Sequence, residues 1–327
     1  MIRLHHPAGV GWIASLIYLC AASGTDGGEP EQVLLGHRGW TISVAWRPDG
    51  AQLASGSGDH TTKIWDASSG ETFRTLSGHT SYVYCVAWNN AGTRIATASY
   101  DHAIKIWNPA TGALLTTLTG HTNAVMGVDW SPDDTKLVSG SQDKLVKIWS
   151  ADTGRLLRTY TGHTDLIISV AWSPDGKRIA SGAFDNTVRL WDAATETAPQ
   201  VLAGHTAPIE SVGWDSTGAR LASAGRDNRA IIWSMPSGKL LRAFSGHTDR
   251  IECVVWRPGN QQLATGSRDK TVKLWDVATG KLLSTLAGYA KPVRGIAWSP
   301  DGTSLATGSD DHSIRIWKLG PSVAKEK

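Results

Sequence analysis

Three side chains in one short stretch of the sequence could, by their types, form a catalytic triad. His163, Ser181 and Asp185 supply an imidazole, a hydroxyl and a carboxylate, the groups that activate a serine nucleophile in acyl transfer. Trp191 lies shortly after the aspartate. A nucleophilic site of this kind is needed once in a protein, so the number of copies of the set decides whether its role is chemical or structural.

The same set of side chains recurs along the chain at a constant step of 42 residues. A network that rigidifies a fold is needed in every repeating unit, and it works only when each member is satisfied. We therefore predict a structural hydrogen-bond network of His163, Ser181, Asp185 and Trp191, and no catalytic residues. The other copies are His37, Ser55, Asp59 and Trp65; His79, Thr97, Asp101 and Trp107; His121, Ser139, Asp143 and Trp149; His205, Ser223, Asp227 and Trp233; His247, Thr265, Asp269 and Trp275; and, in the last unit, Thr307, Asp311 and Trp317.

Tyr289 stands in the last unit where the other six have histidine. A phenol both donates and accepts a hydrogen bond, so it can replace part of what an imidazole does. We expect the network of this unit to be incomplete and the unit to be the least rigid part of the protein.

Short runs typical of β-strands fill each repeating unit. In the unit that begins at Gly162, residues 167–172, 178–181 and 187–191 are rich in β-branched residues and are bounded by turn formers. The SPDG sequence at 173–176 suits a turn, because proline presets one φ and glycine accepts a positive φ. A Thr-Gly turn follows the third strand in several units, but ETAP at 196–199 replaces it in one.

The tryptophans follow the same repeat. One series of seven ends the first strands and another series of seven ends the third strands, so together they account for 14 of the 16 tryptophans. A repeat of this length with Gly-His and Trp-Asp marks is the signature of a propeller blade. The chain resembles the WD40-repeat family over residues 30–319. The resemblance implies an all-β, seven-bladed β-propeller of four-stranded antiparallel blades, in which the four network residue types tie each blade together.

The two ends of the repeat predict how the ring closes. Residues 31–35 (EQVLL) match the fourth strands of the other units, but no blade precedes them. The last unit, residues 293–317, has three strands and no fourth. The resemblance implies that the N-terminal strand pairs with the last blade, and closure of this kind removes exposed sheet edges.

Residues 1–29 lie outside the repeat. A short positive start, an apolar stretch around Ile13 and small residues after Leu19 are typical of a secretory signal peptide. An uncleaved anchor and a misassigned or non-functional start are the alternatives. The stretch is broken by glycine and short for the ~20 apolar residues of a membrane span, so we expect no membrane association. A cleaved signal would make the protein secreted or periplasmic; otherwise it is cytoplasmic. Residues 320–327 form a short polar tail.

Composition excludes several classes of function. The net charge is +3 with both signs interspersed, unlike the basic stripe of a nucleic-acid-binding protein. Three cysteines predict no disulfide framework, and Cys85 and Cys253 share a repeat position that elsewhere holds serine or glycine. We interpret them as packed free thiols. His60, His102 and His312 follow turn aspartates and are expected to be solvated, so we predict no metal and no cofactor.

Function must come from the positions at which the repeats differ. Three columns vary most: three residues after the histidine, five after it, and one before the turn aspartate. The resemblance implies that these columns face the narrow end of the ring, around the central channel. One half of this rim is aromatic and aliphatic, and the other half is Arg/Glu. The candidate partner-binding residues are Trp40, Tyr82, Tyr84, Tyr100, Met126, Leu166 and Phe184 in the first half and Arg226, Arg250, Arg268 and Arg294 in the second.

The sequence favours a protein- or peptide-binding scaffold without catalysis, built as a monomeric ring. Exposed aromatic residues beside arginine are typical of interaction hot spots. An extended segment would place apolar anchors on the first half and acidic or phosphorylated groups on the arginines, although Glu210 and Glu252 weaken the case for a strongly anionic partner. The rim residues packing between blades, a self-associating structural protein, an enzyme using the channel mouth and a repeat array without an evolved partner are the alternatives.

Overall fold

Alternating short strands and glycine- or aspartate-containing turns build a closed ring of seven four-stranded antiparallel sheets. The computed structural model describes residues 28–320. Each sheet is one blade, and strand order follows the chain within six of them. The predicted all-β, seven-bladed propeller is therefore confirmed.

The strands of the first four blades have the following bounds. Blade one contains β2 (Thr41–Trp46), β3 (Gln52–Ser57), β4 (Thr61–Asp66) and β5 (Thr72–Ser77); blade two contains β6 (Val83–Trp88), β7 (Ile95–Ser99), β8 (Ile104–Trp107) and β9 (Leu114–Leu118); blade three contains β10 (Val125–Trp130), β11 (Lys136–Ser141), β12 (Val146–Ser150) and β13 (Leu156–Tyr160); blade four contains β14 (Ile167–Trp172), β15 (Arg178–Ala183), β16 (Thr187–Asp192) and β17 (Gln200–Ala203).

The remaining three blades repeat the pattern. Blade five contains β18 (Ile209–Trp214), β19 (Arg220–Gly225), β20 (Arg229–Ser234) and β21 (Lys239–Ser245); blade six contains β22 (Ile251–Trp256), β23 (Gln262–Ser267), β24 (Val272–Asp276) and β25 (Leu282–Leu286); blade seven contains β26 (Val293–Trp298), β27 (Ser304–Ser309), β28 (Ile314–Lys318) and β1 (Gln32–Leu34).

Ring closure occurs through the N-terminal strand, as predicted. β1 runs antiparallel to β28, with Val33 opposite Arg315 and Leu34 opposite Ile314. The edge that β28 would otherwise expose is thus paired, and the first residues of the ring are held by its last ones.

The hydrophobic core lies between neighbouring blades. The second strands are almost completely buried, whereas the fourth strands form the outer circumference and are largely exposed. Gly56 illustrates how closely the sheets approach, because a Cβ there would lie 2.9 Å from Cγ1 of Val83 in the next blade. The second strand of blade four runs to Ala183, two residues further than its composition predicts, because Gly182 and Ala183 pair with the first strand.

The predicted signal peptide and the predicted polar tail lie almost wholly outside the described residues. Between residues 28 and 320, no helix is long and apolar enough to cross a membrane.

Candidate functional site

The His-Ser-Asp-Trp set of blade four forms one continuous chain of hydrogen bonds. The Trp191 indole N–H donates to Ser181 Oγ at 2.8 Å, and His163 Nε2 lies 2.7 Å from the same oxygen. His163 Nδ1 lies 2.7 Å from Asp185 Oδ2, which also accepts the backbone N–H of Thr164. An indole can only donate and a carboxylate can only accept, so the serine hydroxyl donates to Nε2 and Nδ1–H donates to the aspartate.

The charge states fit this direction of donation. Burial alone would raise the pKa of Asp185, but hydrogen bonds from His163 and Thr187 outweigh it and hold the pKa well below its usual range. Burial lowers the pKa of His163, although Asp185 opposes that effect. A neutral imidazole thus faces a carboxylate. Because Ser181 is fully buried, its hydroxyl holds the blade together and is out of reach of a substrate in solvent.

Five other blades repeat the network with nearly the same geometry. The Nδ1–aspartate distances are 2.7–2.9 Å at their shortest, and each Nε2 lies 2.8 Å from a serine or threonine hydroxyl. The five histidines are His37, His79, His121, His205 and His247.

Blade seven follows a different route. The Trp317 indole N–H donates to Tyr289 Oη at 2.8 Å, the tyrosine hydroxyl donates to Thr307 Oγ1 at 2.8 Å, and Thr307 donates to the carbonyl of Arg315. Asp311 pairs with the Arg315 guanidinium at 3.0 Å instead. Tyr289 therefore replaces the bond to the second strand but does not reach the turn aspartate.

A β-bulge in every first strand directs the second variable column into the central channel. The register with the second strand skips one residue in each blade, for example between Val125 and Gly127. A bulge re-aims the extra side chain. The seven bulged residues all line a channel cavity of about 480 Å³: Ile42, Tyr84, Met126, Ile168, Glu210, Glu252 and Arg294.

The other two variable columns meet at the same end of the blades. In each blade the residue before the turn aspartate donates its backbone N–H to the carbonyl of the residue three after the histidine, as Tyr100 does to Tyr82. All three columns thus surround one mouth of the channel, which we call the rim.

Blades one and two place an aromatic patch on the rim, made of Trp40, Tyr82 and Tyr100. Their side chains are 45%, 39% and 39% exposed. The Trp40 and Tyr82 rings lie 6.0 Å apart between centroids, and the Tyr82 and Tyr100 rings lie 5.9 Å apart. His60 packs on Tyr82, and the Gln142 amide donates to Tyr100 Oη at 2.8 Å. These contacts hold large apolar surfaces in place while leaving them open to solvent.

The candidates nearer the channel axis are packed. Met126 is 4% exposed and forms a small cluster with Ala124 and Ile168. Tyr84, Leu166 and Phe184 are partly buried against that cluster. Burial raises the pKa of Tyr84 far above its usual range. These side chains pack beneath the exposed patch and present less accessible surface to a partner.

The charged half of the rim is an ion-pair network centred on two buried glutamates. Arg226 donates to Glu210 at 2.6 Å, and Arg250 donates to Glu252 at 2.8 Å. Glu252 also lies 3.3–3.5 Å from two further guanidinium groups, and Arg294 pairs with Asp310 at 2.9 Å. Burial and the neighbouring carboxylate raise the pKa of Glu210, and Arg226 opposes them. The arginines of this network are Arg226, Arg250, Arg268 and Arg294.

Within this network, four guanidinium groups face three carboxylates, so most of the positive charge is balanced internally. Arg226 and Arg268 are the more exposed, with side chains 34% and 38% accessible, against 18% and 17% for the other two. Arg226 also lies 4.1 Å above the Phe184 ring, which joins the two halves of the rim.

The WD40 family model, described as WD domain, G-beta repeat, matches seven consecutive segments of the chain: residues 28–66, 70–108, 112–150, 154–192, 197–234, 238–276 and 280–318. This chain belongs to the WD40-repeat family. No curated protein matches it. Each WD40 match begins with the fourth strand of one blade and ends with the third strand of the next, so every repeat links two blades. WD40 propellers commonly act as protein-interaction scaffolds and are generally non-catalytic.

The remaining sequence candidates of this WD40 chain take structural positions. Cys85 and Cys253 are free thiols on the first strands β6 and β22. The Cys85 Sγ contacts the carbonyl of Val128 and the Cys253 Sγ contacts that of Gly266. Burial raises the pKa of Cys85 to about 11. His60 was predicted from the sequence to be a solvated turn residue, but its ring contacts Tyr82 of the aromatic patch. In the described part of the chain, no group of three or more histidine, cysteine, aspartate or glutamate side chains could hold a metal ion.

Sequence reasoning missed the bulge, the burial of the two glutamates and the contacts of Gln142 and His60. The small residue that follows each bulged position is a signal for the bulge, since Gly127 and Gly295 leave no room for a Cβ against the next blade. The ion-pair geometry has no such signal, because it depends on side chains from neighbouring blades.

Proposed function

We propose that this WD40 propeller binds a protein partner through an extended peptide segment laid across the rim, without catalysis. The observation that carries the proposal is the aromatic patch of Trp40, Tyr82 and Tyr100, three adjacent large rings that are held by neighbours and remain exposed. Rigid, exposed aromatic surface is typical of interaction hot spots, because little side-chain entropy is lost on binding.

The charged half of the rim supports a further feature of the partner. Arg226 and Arg268 present exposed guanidinium edges, while Glu210 and Glu252 cancel most of the charge below them. We propose that the segment places an apolar or aromatic side chain on the patch and an acidic or phosphorylated group near Arg226 and Arg268. A single anionic group suits this surface better than an acidic run, because so little net charge is left unbalanced.

A peptide-library selection with matched variants tests the proposal. The Trp40→Ala, Tyr82→Ala, Tyr100→Ala variant should lose the peptides that the wild-type chain selects. A control variant with Leu115→Ala, Leu157→Ala and Leu241→Ala removes comparable exposed apolar surface from the outer strands and should keep them. Circular dichroism first establishes that both variants are folded. If both variants retained the selected peptides equally, the aromatic patch would not be the peptide site.

Self-association is the second candidate function, and one observation favours it. The fourth strands are sheet edges, and four of them expose pairs of adjacent leucines: Leu114 and Leu115, Leu156 and Leu157, Leu240 and Leu241, and Leu282 and Leu283. Exposed apolar edge strands are templates for pairing with another chain. Sedimentation over a hundredfold concentration range separates this assembly from the monomeric ring that we favour.

For location, we propose export of the chain, with residues 1–29 as the signal peptide. Their charge and apolar pattern supports this proposal. N-terminal sequencing of the protein from its native source tests it: a start between residues 22 and 30 supports cleavage, and a start at Met1 refutes it.

A further inference from the structure

A groove on the side of the ring, between blades three and four, is lined by three cationic side chains, none of which forms a salt bridge with another described residue. Lys136, Arg158 and Lys177 line it, together with Trp172 and Asp192, and its cavity volume is about 590 Å³. The groove lies where the outer strand β13 approaches the turn that follows β16, away from the rim. It is therefore independent of the proposed peptide site.

Arg158 lacks the carbonyl partner of its equivalents because the turn opposite it has changed, and Asp192 is the carboxylate that attracts it. Elsewhere, long side chains at this fourth-strand position bond a carbonyl in the following blade's turn, as Arg74 does to Ala110 and Gln200 does to Ser237. Those turns close around a glycine at positive φ. In blade four, Glu196 stands at the glycine position, and the turn lacks the closing backbone bond that Gly112 or Gly280 makes. Within residues 28–320, Arg158 has neither a carbonyl partner nor an ion pair.

The groove between blades five and six is a natural control, because it has the same architecture and a similar volume, about 610 Å³. Its Arg242, equivalent to Arg158, donates to the carbonyls of Ala278 and Thr279. Its Arg220, equivalent to Lys136, pairs with Asp215 at 2.8 Å. Gln261 stands where the first groove has Lys177. The cations of the groove between blades five and six are thus bound to protein groups, whereas their equivalents between blades three and four form no such bonds.

An unpartnered donor also borders the charged groove. Trp172 is 7% exposed, and its indole N–H is buried without a hydrogen-bond partner. The indole nitrogen lies 4.0 Å from the place that a Cβ on Gly176 would take, and Gly176 is another wall residue of the groove. In the control groove's blade, the equivalent Trp256 donates to Gly213 at 2.9 Å.

The carboxylates near the groove are already engaged by their own turns. Asp192 accepts the backbone N–H groups of Ala194 and Thr195, both at 2.8 Å. Asp175 accepts the Ser173 hydroxyl at 2.6 Å and the N–H of Lys177 at 3.0 Å. Three cations and one of these carboxylates, Asp192, line the wall, so the lining carries more positive than negative charge. The carboxylates stay ionised, and Asp192 attracts Arg158 while Asp175 attracts Lys177, but neither pair forms a salt bridge within 4 Å.

We propose that the groove between blades three and four binds a phosphate monoester. The guanidinium of Arg158 offers paired donors that match a phosphate. The two ammonium groups, of Lys136 and Lys177, favour a ligand with two negative charges, such as a phosphate monoester, over a ligand with one carboxylate. Ile148 and Leu157 supply apolar wall for the organic part of the ligand. The volume lies within the range of about 300–1,000 Å³ that small-ligand sites occupy.

Titration of the folded chain with defined probes tests the proposal. Protein labelled with ¹⁵N-tryptophan is titrated at constant ionic strength with glycerol 3-phosphate, and in a parallel arm with a neutral peptide that carries one phosphoserine. The Trp172 indole signal, assigned by its loss in Trp172→Phe, should shift and saturate. Arg158→Gln should raise the Kd about tenfold or more, because a charge-assisted hydrogen bond is lost.

Arg242→Gln in the control groove should leave the Kd unchanged. A shift that does not saturate, or equal weakening by Arg158→Gln and Arg242→Gln, overturns the proposal. Tighter binding of the peptide identifies a phosphorylated protein as the source of the phosphate, and tighter binding of glycerol 3-phosphate identifies a small metabolite. Either order of affinity supports the phosphate site.

Discussion

Tyr289 donates a hydrogen bond to Thr307 at 2.8 Å, the position that a histidine nitrogen contacts in the other six blades, yet its ring stops short of Asp311. In those blades the aspartate also accepts the backbone N–H that follows the histidine, as Asp185 does from Thr164. The aspartate thereby ties the loop to the turn. In blade seven Asp311 is held by Arg315 and Ser313 instead, so the loop at residues 288–292 loses one anchor.

We predict that amide hydrogen exchange is faster at residues 289–291 than at the equivalent residues of blade six, 247–249. Tyr289→His should slow it and stabilise the protein by about 1 kcal/mol, because a hydrogen bond to a carboxylate is gained. Blade four shows that the replacement fits, since His163, Asp185 and Arg189 coexist there. Exchange in the wild-type loop of blade seven that is as slow as in blade six would contradict this prediction.

The buried network should be sensitive to the loss of its central hydroxyl. Ser181→Ala leaves the Trp191 N–H and His163 Nε2 without a partner, and each unsatisfied buried group costs about 1–3 kcal/mol. We expect denaturant unfolding to show a loss of about 2–6 kcal/mol. Ser181→Thr is the matched control and should be nearly neutral, because Thr97 and Thr265 fill this place in other blades. A large loss with threonine would show that packing, and not the hydroxyl, dominates.

The rim should depend on the buried carboxylate of Glu252. Its oxygen faces Arg250, Arg268 and Arg294, so Glu252→Gln removes the carboxylate that these three share. Arg294 keeps Asp310 and Arg250 keeps Glu210, but Arg268 loses its ion pair. Breaking a buried ion pair from one side costs about 3–5 kcal/mol. We expect urea unfolding to report a loss of this order, together with higher affinity for anionic peptides at the rim. A change below about 0.5 kcal/mol, as for a surface substitution, would contradict the network's role.

The fold could be predicted from the sequence because it is repeated. A single set such as His163, Ser181 and Asp185 could be catalytic or structural. Its return every 42 residues shows that its role is structural. The rim could be predicted only as a set of columns. Met126 and Tyr82 have similar status in the sequence, yet the bulge turns Met126 toward the channel, while Tyr82 stays on the surface. Arg158 and Arg242 hold equivalent positions in the sequence. The ETAP sequence at 196–199 marks an altered turn opposite Arg158, but its effect on Arg158 depends on the backbone of the next blade.

Asp129 lies on the first strand of blade three and lines a cavity together with Ala45, Ala87 and Ala171, the equivalent residues of blades one, two and four. It accepts the backbone N–H groups of Trp130 and Trp172. Burial raises its pKa to about 6, although those N–H groups oppose the shift. The folded protein therefore favours the protonated carboxyl. The cost to stability is absent below about pH 4, where the folded and unfolded states are both protonated. It grows between about pH 4 and pH 6, as only the unfolded state ionises, and is constant above about pH 6.

Asp129→Ala should therefore stabilise the protein by about 1–2 kcal/mol at pH 7.5, and this gain should vanish as the pH falls to about 4. Where the residue is alanine or glycine, the following blade's tryptophan donates its indole N–H to that residue's carbonyl, as Trp88 does to Ala45. Trp172 and Trp298 lack this bond, and the residues at the equivalent acceptor positions are Asp129 and Val255. Val255→Ala is thus a control that changes the equivalent position, opposite Trp298, without changing a charge. Val255→Ala should raise the free energy of unfolding by the same amount at every pH. If Asp129→Ala also raised it by the same amount at pH 4 and at pH 7.5, the argument from ionisation would be refuted.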